Sequence, residues 1–537
     1  DEGNAAGGSA EPGPAPAPPG LAGWFTTSDH KRIGRLYLVT SLAFLVVGSV
    51  VGAILGIERI ESGLQLLGDD TFSQVYTLHG EVAVLLFLVP FFLGLATYLV
   101  PLQLGAPDVA FPRGSATAYW AYVVAGATLL ASYAANGGAT GGSQVGADLY
   151  LLSLAVLAVA TGLALVSILT TIVTLRAPGM TMLRAPLFSW SLLVGGGLTL
   201  LATPVLLARL IELYIQHHFT GEFVVGTYGG ISWFWAVPQV YLLAVPAVGV
   251  AAEIVPVLAR CRLRHHESGI VVIAATGLLG FGAWAQVDAS FDDLLYVVAG
   301  LAAVLPALAL LGILGDTVRR GALVRKAPLL MALGAVVHLF LGALAGAVST
   351  ISALELRGTA WEAAQLHYTL YGGAVLAAYA ALWFWAPKIW GVHLGEGAGM
   401  ATFLLTFWGA ILLAAPDLFG GLVSDRSLMF VQSDEGFLTT ALNGISALGG
   451  AMGVLGVLVV VGDLFNRVGR HAGTRAIGDP WGGPTLEWAT TSPPPAGNFA
   501  GPLPPVRSAY PVADQAEEAD IQPDDVAAIA SGGGGRR

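Results

Sequence analysis

Apolar stretches of about twenty residues and more recur along the chain, each broken by a short polar connection. Twelve stand out, at roughly 34–57, 78–103, 117–136, 148–175, 186–215, 231–259, 268–288, 293–316, 327–354, 361–388, 401–421 and 437–464. About 20 apolar residues in a helix span a hydrocarbon layer ~30 Å thick, at ~1.5 Å per residue. The pattern predicts an all-α, polytopic membrane helix bundle of twelve transmembrane helices. The seventh and eighth stretches are the hardest to separate, because only Asp288, Asp292 and Asp293 mark their connection. Flanking the bundle (24–466), residues 1–23 predict a disordered tail rich in Gly, Ala and Pro, and 467–537 a cytoplasmic, largely irregular tail. The chain does not begin with Met, so its natural N-terminus is expected further upstream.

Composition agrees. Charged residues make up 11% of the 537 and hydrophobic ones 55%, whereas soluble domains carry about 25% charged residues. So few charges cannot cover a water-facing surface, and the natural surroundings are a lipid bilayer. The net charge of −11 argues against nucleic acid as a partner. A lone cysteine, Cys261, excludes an internal disulfide, a four-cysteine iron–sulfur site and a paired-thiolate copper centre. Any metal has to be held by histidine, carboxylate or a bound cofactor.

Basic residues set the expected orientation. Lys31, Arg32 and Arg35, Arg113, Arg176 and Arg184, Arg260, Arg262 and Arg264, Arg319 to Lys326, Lys388 and Arg467/Arg470 fall in alternate connections. The other connections hold Glu58, Glu61, Asp69, Asp70, Asp425, Asp434 and Glu435. The positive-inside rule then puts both termini in the cytoplasm of a cell-membrane protein, which an even span count requires.

Of ten histidines, His30, His265, His266, His393 and His471 lie among basic loop residues and predict a solvated role. His217 and His218 close the fifth span, where an interfacial role is favoured over a metal. His79, His338 and His367 lie within or at the edge of hydrocarbon, where an ionisable group is a functional candidate. His79 and His367 sit at matched depth, within ~10 Å of the outer boundary. They could ligate one iron axially from opposite faces, or be two unrelated hydrogen-bonded helix histidines. His338, near mid-membrane, has no second ligand at its depth and predicts a packed, hydrogen-bonded side chain.

Several longer motifs now bear on the question. Thr27-Ser28-Asp29-His30-Lys31-Arg32-Ile33-Gly34, Tyr76-Thr77-Leu78-His79-Gly80, Val100-Pro101-Leu102-Gln103-Leu104-Gly105-Ala106-Pro107-Asp108 through Arg113, Arg176 to Met182, and Trp481-Gly482-Gly483-Pro484-Thr485-Leu486-Glu487-Trp488 occur in order. On these the chain resembles subunit I of the haem–copper oxidases, the cytochrome c and quinol oxidase family, over about residues 24–510. The resemblance implies a twelve-helix fold, with His79 and His367 at the positions of the low-spin haem ligands. It puts Arg59 beside that haem's outer substituent and Arg426 near its propionates, although the family's arginine pair is not reproduced.

The second site departs from the family. Where the family has W-x-x-x-H-P-E-V-Y, this chain reads Trp233 to Tyr241, with Val237 for the copper-binding His and Gln239 for the proton-relaying Glu, while Tyr241 remains. The family's W-A-H-H reads Trp284-Ala285-Gln286-Val287, and its H-F-H reads Gln365-Leu366-His367. Copper needs nitrogen donors, which Val237, Gln286 and Val287 do not supply, and Gln365 replaces the high-spin haem ligand. The family's His-Asp step near a non-redox metal aligns with Arg357-Gly358. On the proton routes Asp108 stays, while Thr97, Ser115 and Leu310 replace path residues.

These residues predict a catalytically degenerate homologue that keeps one low-spin haem, of a or b type, with no copper and no high-spin haem. It would act in electron transfer or support within a respiratory complex. Expected partners are other oxidase-type subunits, one of them an active subunit I, and a cytochrome c-like donor. The alternatives are a haem-free structural scaffold and, less favoured, an oxygen reductase with unorthodox ligands.

Overall fold

A computed structural model describes residues 20, 22–61, 66–219, 231, 243–280, 294–423, 436–476 and 478–520. Among them nine helices are long and apolar enough to cross a membrane. In chain order with three further helices they are α1 (His30–Glu58), α2 (Asp70–Leu104), α3 (Pro112–Ala134), α4 (Gln144–Thr174), α5 (Leu187–Phe219), α6 (Val245–Leu258), α7 (His266–Leu279), α8 (Val297–Arg320), α9 (Ala327–Ser349), α10 (Ala360–Trp390), α11 (Glu396–Val423) and α12 (Phe437–Gly469). Each corresponds to one of the twelve expected spans. The last helix, α12, packs back against α1.

Two helices form the axis of the bundle. In α2 and α10, 89% of the most apolar stretch is buried inside the protein, against 22% to 61% in the other seven long helices. Those seven therefore turn one side to lipid, while α2 and α10, like the short α6, meet protein almost all round. The two also end alike. Pro101 and Pro387 lie inside their last turns, and Gly105 (φ 73°) and Gly391 (φ 72°) stop them in the left-handed conformation that favours glycine. Each contains a π-helical segment, Val82–Leu88 in α2 and His367–Val375 in α10.

The basic face is closed by residues 478–510. Trp481 Nε1 donates to the Phe384 carbonyl at 2.8 Å, and Lys388 Nζ to the Thr490 carbonyl at 2.8 Å. Asn498, fully buried, ties three elements together. Its Nδ2 donates to the Ala106 carbonyl at 2.7 Å, while its Oδ1 accepts from Lys31 Nζ at 3.1 Å and lies 2.9 Å from His30 Nε2. A final helix, α13 (Pro511–Asp520), is held by Arg262, which pairs with Asp514 at 3.3 Å and Glu517 at 2.8 Å.

Two histidines expected in water are not there. His30 is 1% exposed, its Nδ1 donating to the Thr97 carbonyl at 2.9 Å. The cause is the Asp29 cap: its carboxylate accepts from the Lys31 amide, so α1 starts at residue 30 instead of 34 and carries the imidazole inside. His266 is largely covered by the Tyr510 ring and bonded to the Ala185 carbonyl at 3.0 Å.

Asn498→Ala deletes all the side-chain bonds and leaves buried partners unpaired. It should destabilise the protein by about 1–3 kcal/mol, read as a lower denaturation midpoint in detergent. Asn466→Ala, at an exposed position, should leave that midpoint unchanged.

Candidate functional site

The far face, opposite the basic one, gathers the polar groups of the two axial helices. His79 lies ten residues into α2 and three before its π segment, and His367 opens the π segment of α10. A π turn inserts an extra residue and shifts the register of the side chains around it, and such segments recur at functional sites. Both imidazoles keep partial surface access although their helices are the most enclosed. Each ring therefore borders a crevice between helices.

The His79 ring is fixed in orientation. Its Nδ1 donates to the Gly48 carbonyl of α1 at 3.0 Å, which leaves Nε2 as the nitrogen with a free lone pair. That hydrogen bond is the arrangement that orients a metal-binding imidazole and raises its basicity. Gly52, one turn further along α1, makes room for it, because a Cβ there would stand 2.6 Å from His79 Cε1. His367 Nδ1 is buried and has no hydrogen-bond partner among the described residues. His79 and His367 are the residues that would hold a haem iron here. Such a group, when bound, supplies one-electron transfer.

Arg59 reaches the same region from the end of α1. Its Nη2 and Nη1 donate to Asp417 Oδ1 and Oδ2 of α11 at 3.1 Å and 3.2 Å. Asn443 of α12 donates to the Arg59 carbonyl at 2.7 Å. Neither Asp417 nor Glu81 was singled out from the sequence. Glu81 is 1% exposed on α2 and accepts hydrogen bonds from Tyr133, at 3.0 Å, and Tyr150. The signal was available, since a carboxylate inside an apolar span is itself a functional candidate.

Gln365, 7% exposed, stands two residues before His367 and borders a cavity of about 50 Å³ between α6, α7, α8, α9 and α10. Thr276, Thr369, Leu310 and Leu339 line it too. The polar groups of this described lining are amide and hydroxyl oxygens, with no imidazole among them. Val237, Gln239, Tyr241, Gln286, Val287 and Arg426 lie outside the described residues. Among the described residues no three His, Cys, Asp or Glu side chains come together as metal ligands.

His338 is fully buried against Gly372, between the rings of Tyr368 at 5.7 Å and Phe407 at 4.8 Å. It is packed, as expected, but neither ring nitrogen has a side-chain hydrogen-bond partner among the described residues. His218 Nε2 meets Asp148 Oδ1 at 2.8 Å, and His217 is 3.7 Å from the same oxygen, so this pair joins α5 to α4. Asp108, between α2 and α3, is half-buried instead of freely solvated, and burial pushes its carboxyl up.

Comparison with known proteins fits this architecture. The family description "Cytochrome C and Quinol oxidase polypeptide I" matches residues 32–452. The chain belongs to that family. A chain named cytochrome c oxidase subunit 1-beta in Streptomyces coelicolor is 35% identical, over 92% of this chain and 90% of its own length. A subunit 1-alpha of the same organism is 34% identical over 91% and 89%. A cytochrome c oxidase subunit 1 of Corynebacterium efficiens is 32% identical over 90% and 88%. The protein is thus a multi-pass membrane subunit of the haem–copper oxidase subunit I family, whose members bind haem and work with other oxidase subunits.

Replacing either His79 or His367 by Ala should abolish one and the same low-spin haem band in the spectrum of the purified protein. Gly52→Val should do so as well, by displacing the His79 ring. His338→Ala should leave the band in place. A variant of His79 or His367 with an unchanged spectrum would remove that residue from the ligand pair.

Proposed function

We propose that this chain is a catalytically degenerate subunit I that carries one bis-histidine haem and passes electrons, or supports electron transfer, within a respiratory oxidase assembly. One asymmetry carries the reading. On α10 the imidazole at 367 is kept, while two residues away Gln365 occupies the position where the family has its second haem ligand. A single helix thus retains the chemistry of one site and lacks that of the other.

The sequence extends this to the copper site, where Val237, Gln286 and Val287 supply no imidazole, and to the relay position held by Gln239. The haem would lie near the far face, where a cytochrome c-like donor or a partner subunit's redox centre can reach it. With basic residues on the opposite face, that orientation puts both termini in the cytoplasm of a cell-membrane protein. An assembly with an active subunit I accounts for where the electrons go. Streptomyces coelicolor, with its 1-alpha and 1-beta chains among the relatives, offers a parallel for two such chains in one organism.

Without the residue-365 imidazole, carbon monoxide should produce no high-spin difference spectrum at full haem loading, and the isolated protein should consume no oxygen. A clear high-spin shift would sink the degenerate reading. Asp108→Asn should leave haem reduction rates unchanged and vesicle pH undisturbed during turnover. Donor-driven acidification that the substitution removes would restore a proton-moving oxidase.

A further inference from the structure

Ahead of α1, at the basic face, the chain makes one helical turn, Ala22–Phe25, closed by Gly23 donating to the Gly20 carbonyl and Thr26 to the Ala22 carbonyl. This hook bridges α1 and α3. Arg32 ties it to α1, donating from Nη1 to the Gly23 carbonyl at 3.0 Å while its guanidinium covers the Trp24 ring at 5.7 Å. Phe25 ties it to α3 by stacking on Trp120, with the ring centroids 5.2 Å apart. Trp24 nevertheless stays 38% exposed and Phe25 60%. Each ring is held on one side and open on the other.

Both α1 and α3 start at the basic face, and their outer sides repeat one order. On α1, Arg32 is followed seven residues later by the exposed Val39; on α3, the exposed Arg113 is followed by Trp120 at seven and the exposed Val124 at eleven. Steps of seven and eleven return to one side of a helix, and at ~1.5 Å per residue they place rings and valines ~10 to 16 Å above the arginines. The nearby acids are already engaged. Asp29 holds Lys31 at 3.1 Å, and Asp108 accepts from the Val109 amide at 2.8 Å. Neither Arg32 nor Arg113 pairs with a carboxylate among the described residues.

We propose that the hook, with the outer sides of α1 and α3, is a binding site for one anionic phospholipid of the leaflet on the basic side. Arg32 and Arg113 take the phosphate-bearing headgroup, and the rings of the hook and Trp120 meet the ester region. The acyl chains run on past Val39 and Val124. Cation, ring and aliphatic side chain thus follow one another in the order of phosphate, ester and chain. Aromatic side chains favour that interfacial level, and basic residues beside it attract anionic lipid. An apolar helix of a partner protein would meet the rings and valines equally well, but it would leave two guanidinia without a counter-charge at the edge of the low-dielectric layer. The site shares no residue with the crevice of His79 and His367, so it stands independently of the haem.

The test is a titration of phosphatidylglycerol into delipidated full-length protein in detergent, with bound lipid counted by native mass spectrometry and phosphatidylcholine as the comparison. The wild type should retain phosphatidylglycerol in preference to phosphatidylcholine. Arg113→Gln should weaken that retention about fivefold, the share of one basic side chain near a membrane surface. Trp24→Ala combined with Phe25→Ala should weaken retention of both lipids. Arg325→Gln, at an exposed position elsewhere on the basic face, should change neither. Equal retention of the two lipids by the wild type overturns the proposal, as does an equal loss in Arg113→Gln and Arg325→Gln. Inorganic phosphate should fail to displace the lipid. Displacement by it would mark a simple anion site and overturn the proposal as well.

Discussion

A side chain that ionises or binds a metal can sit in the hydrocarbon layer only where protein surrounds it on every side. In this bundle α2 and α10 provide that surround, and the rest of the site follows from their enclosure. Of the nine long helices these two are the most enclosed, and they carry His79 and His367. The same shielding lets Glu81, with two tyrosine hydroxyls to bond it, remain on α2. Enclosure also explains the small residues of α1 opposite His79. A helix that packs against an imidazole needs an open carbonyl and no side chain in the way, and Gly48 and Gly52 supply one each.

Polar groups deep in the bundle are held in pairs from different helices. Arg59 and Asp417 join α1 to α11, and Asn443 brings in α12. At the basic face Asn498 and Lys388 do the same between the C-terminal segment and the ends of α1, α2 and α10. In each case an unpaired partner would lose more than the pair gains, since the penalty for a buried unsatisfied group exceeds the net worth of one hydrogen bond. These contacts fix which helices can be neighbours. Apolar packing alone would leave that loosely specified, because lipid tails are as apolar as leucine.

Hydropathy made the helical class and each of the twelve elements legible, because span length is imposed by the bilayer and leaves a plain pattern in the sequence. It served less well at the ends. His30 reads as a loop histidine until the Asp29 cap pulls α1 back to it, and the burial of Asn498 follows from a segment whose composition resembles a tail. Motif resemblance brought out His79, His367 and Arg59 but was silent about Asp417, which no motif requires. Its partnership with Arg59 joins residues 358 positions apart in the chain. Local sequence carries no trace of such a contact. The π segments were equally invisible, since one extra residue in a turn leaves the apolar composition of a buried span unchanged.

The distribution of change along α10 also limits how such a subunit could diverge. Gln365 and His367 are two residues apart, so they lie about 200° apart around the helix and face different neighbours. One side can lose its imidazole while the other keeps its crevice, because the two sites share a helix but not a wall. Gln365 looks towards α6 to α9, where the cavity lining is mostly Ala, Gly, Val and Leu. His367 lies on the α10 segment whose neighbours Ala364 and Tyr368 pack with Ala414 of α11, the helix whose Asp417 is paired with Arg59. Losing ligands on the first side leaves apolar packing that tolerates substitution. On the second side Arg59 and Asp417 hold each other through two hydrogen bonds and His79 is bonded to the Gly48 carbonyl, so change at Arg59, Asp417 or His79 removes a specific contact between helices.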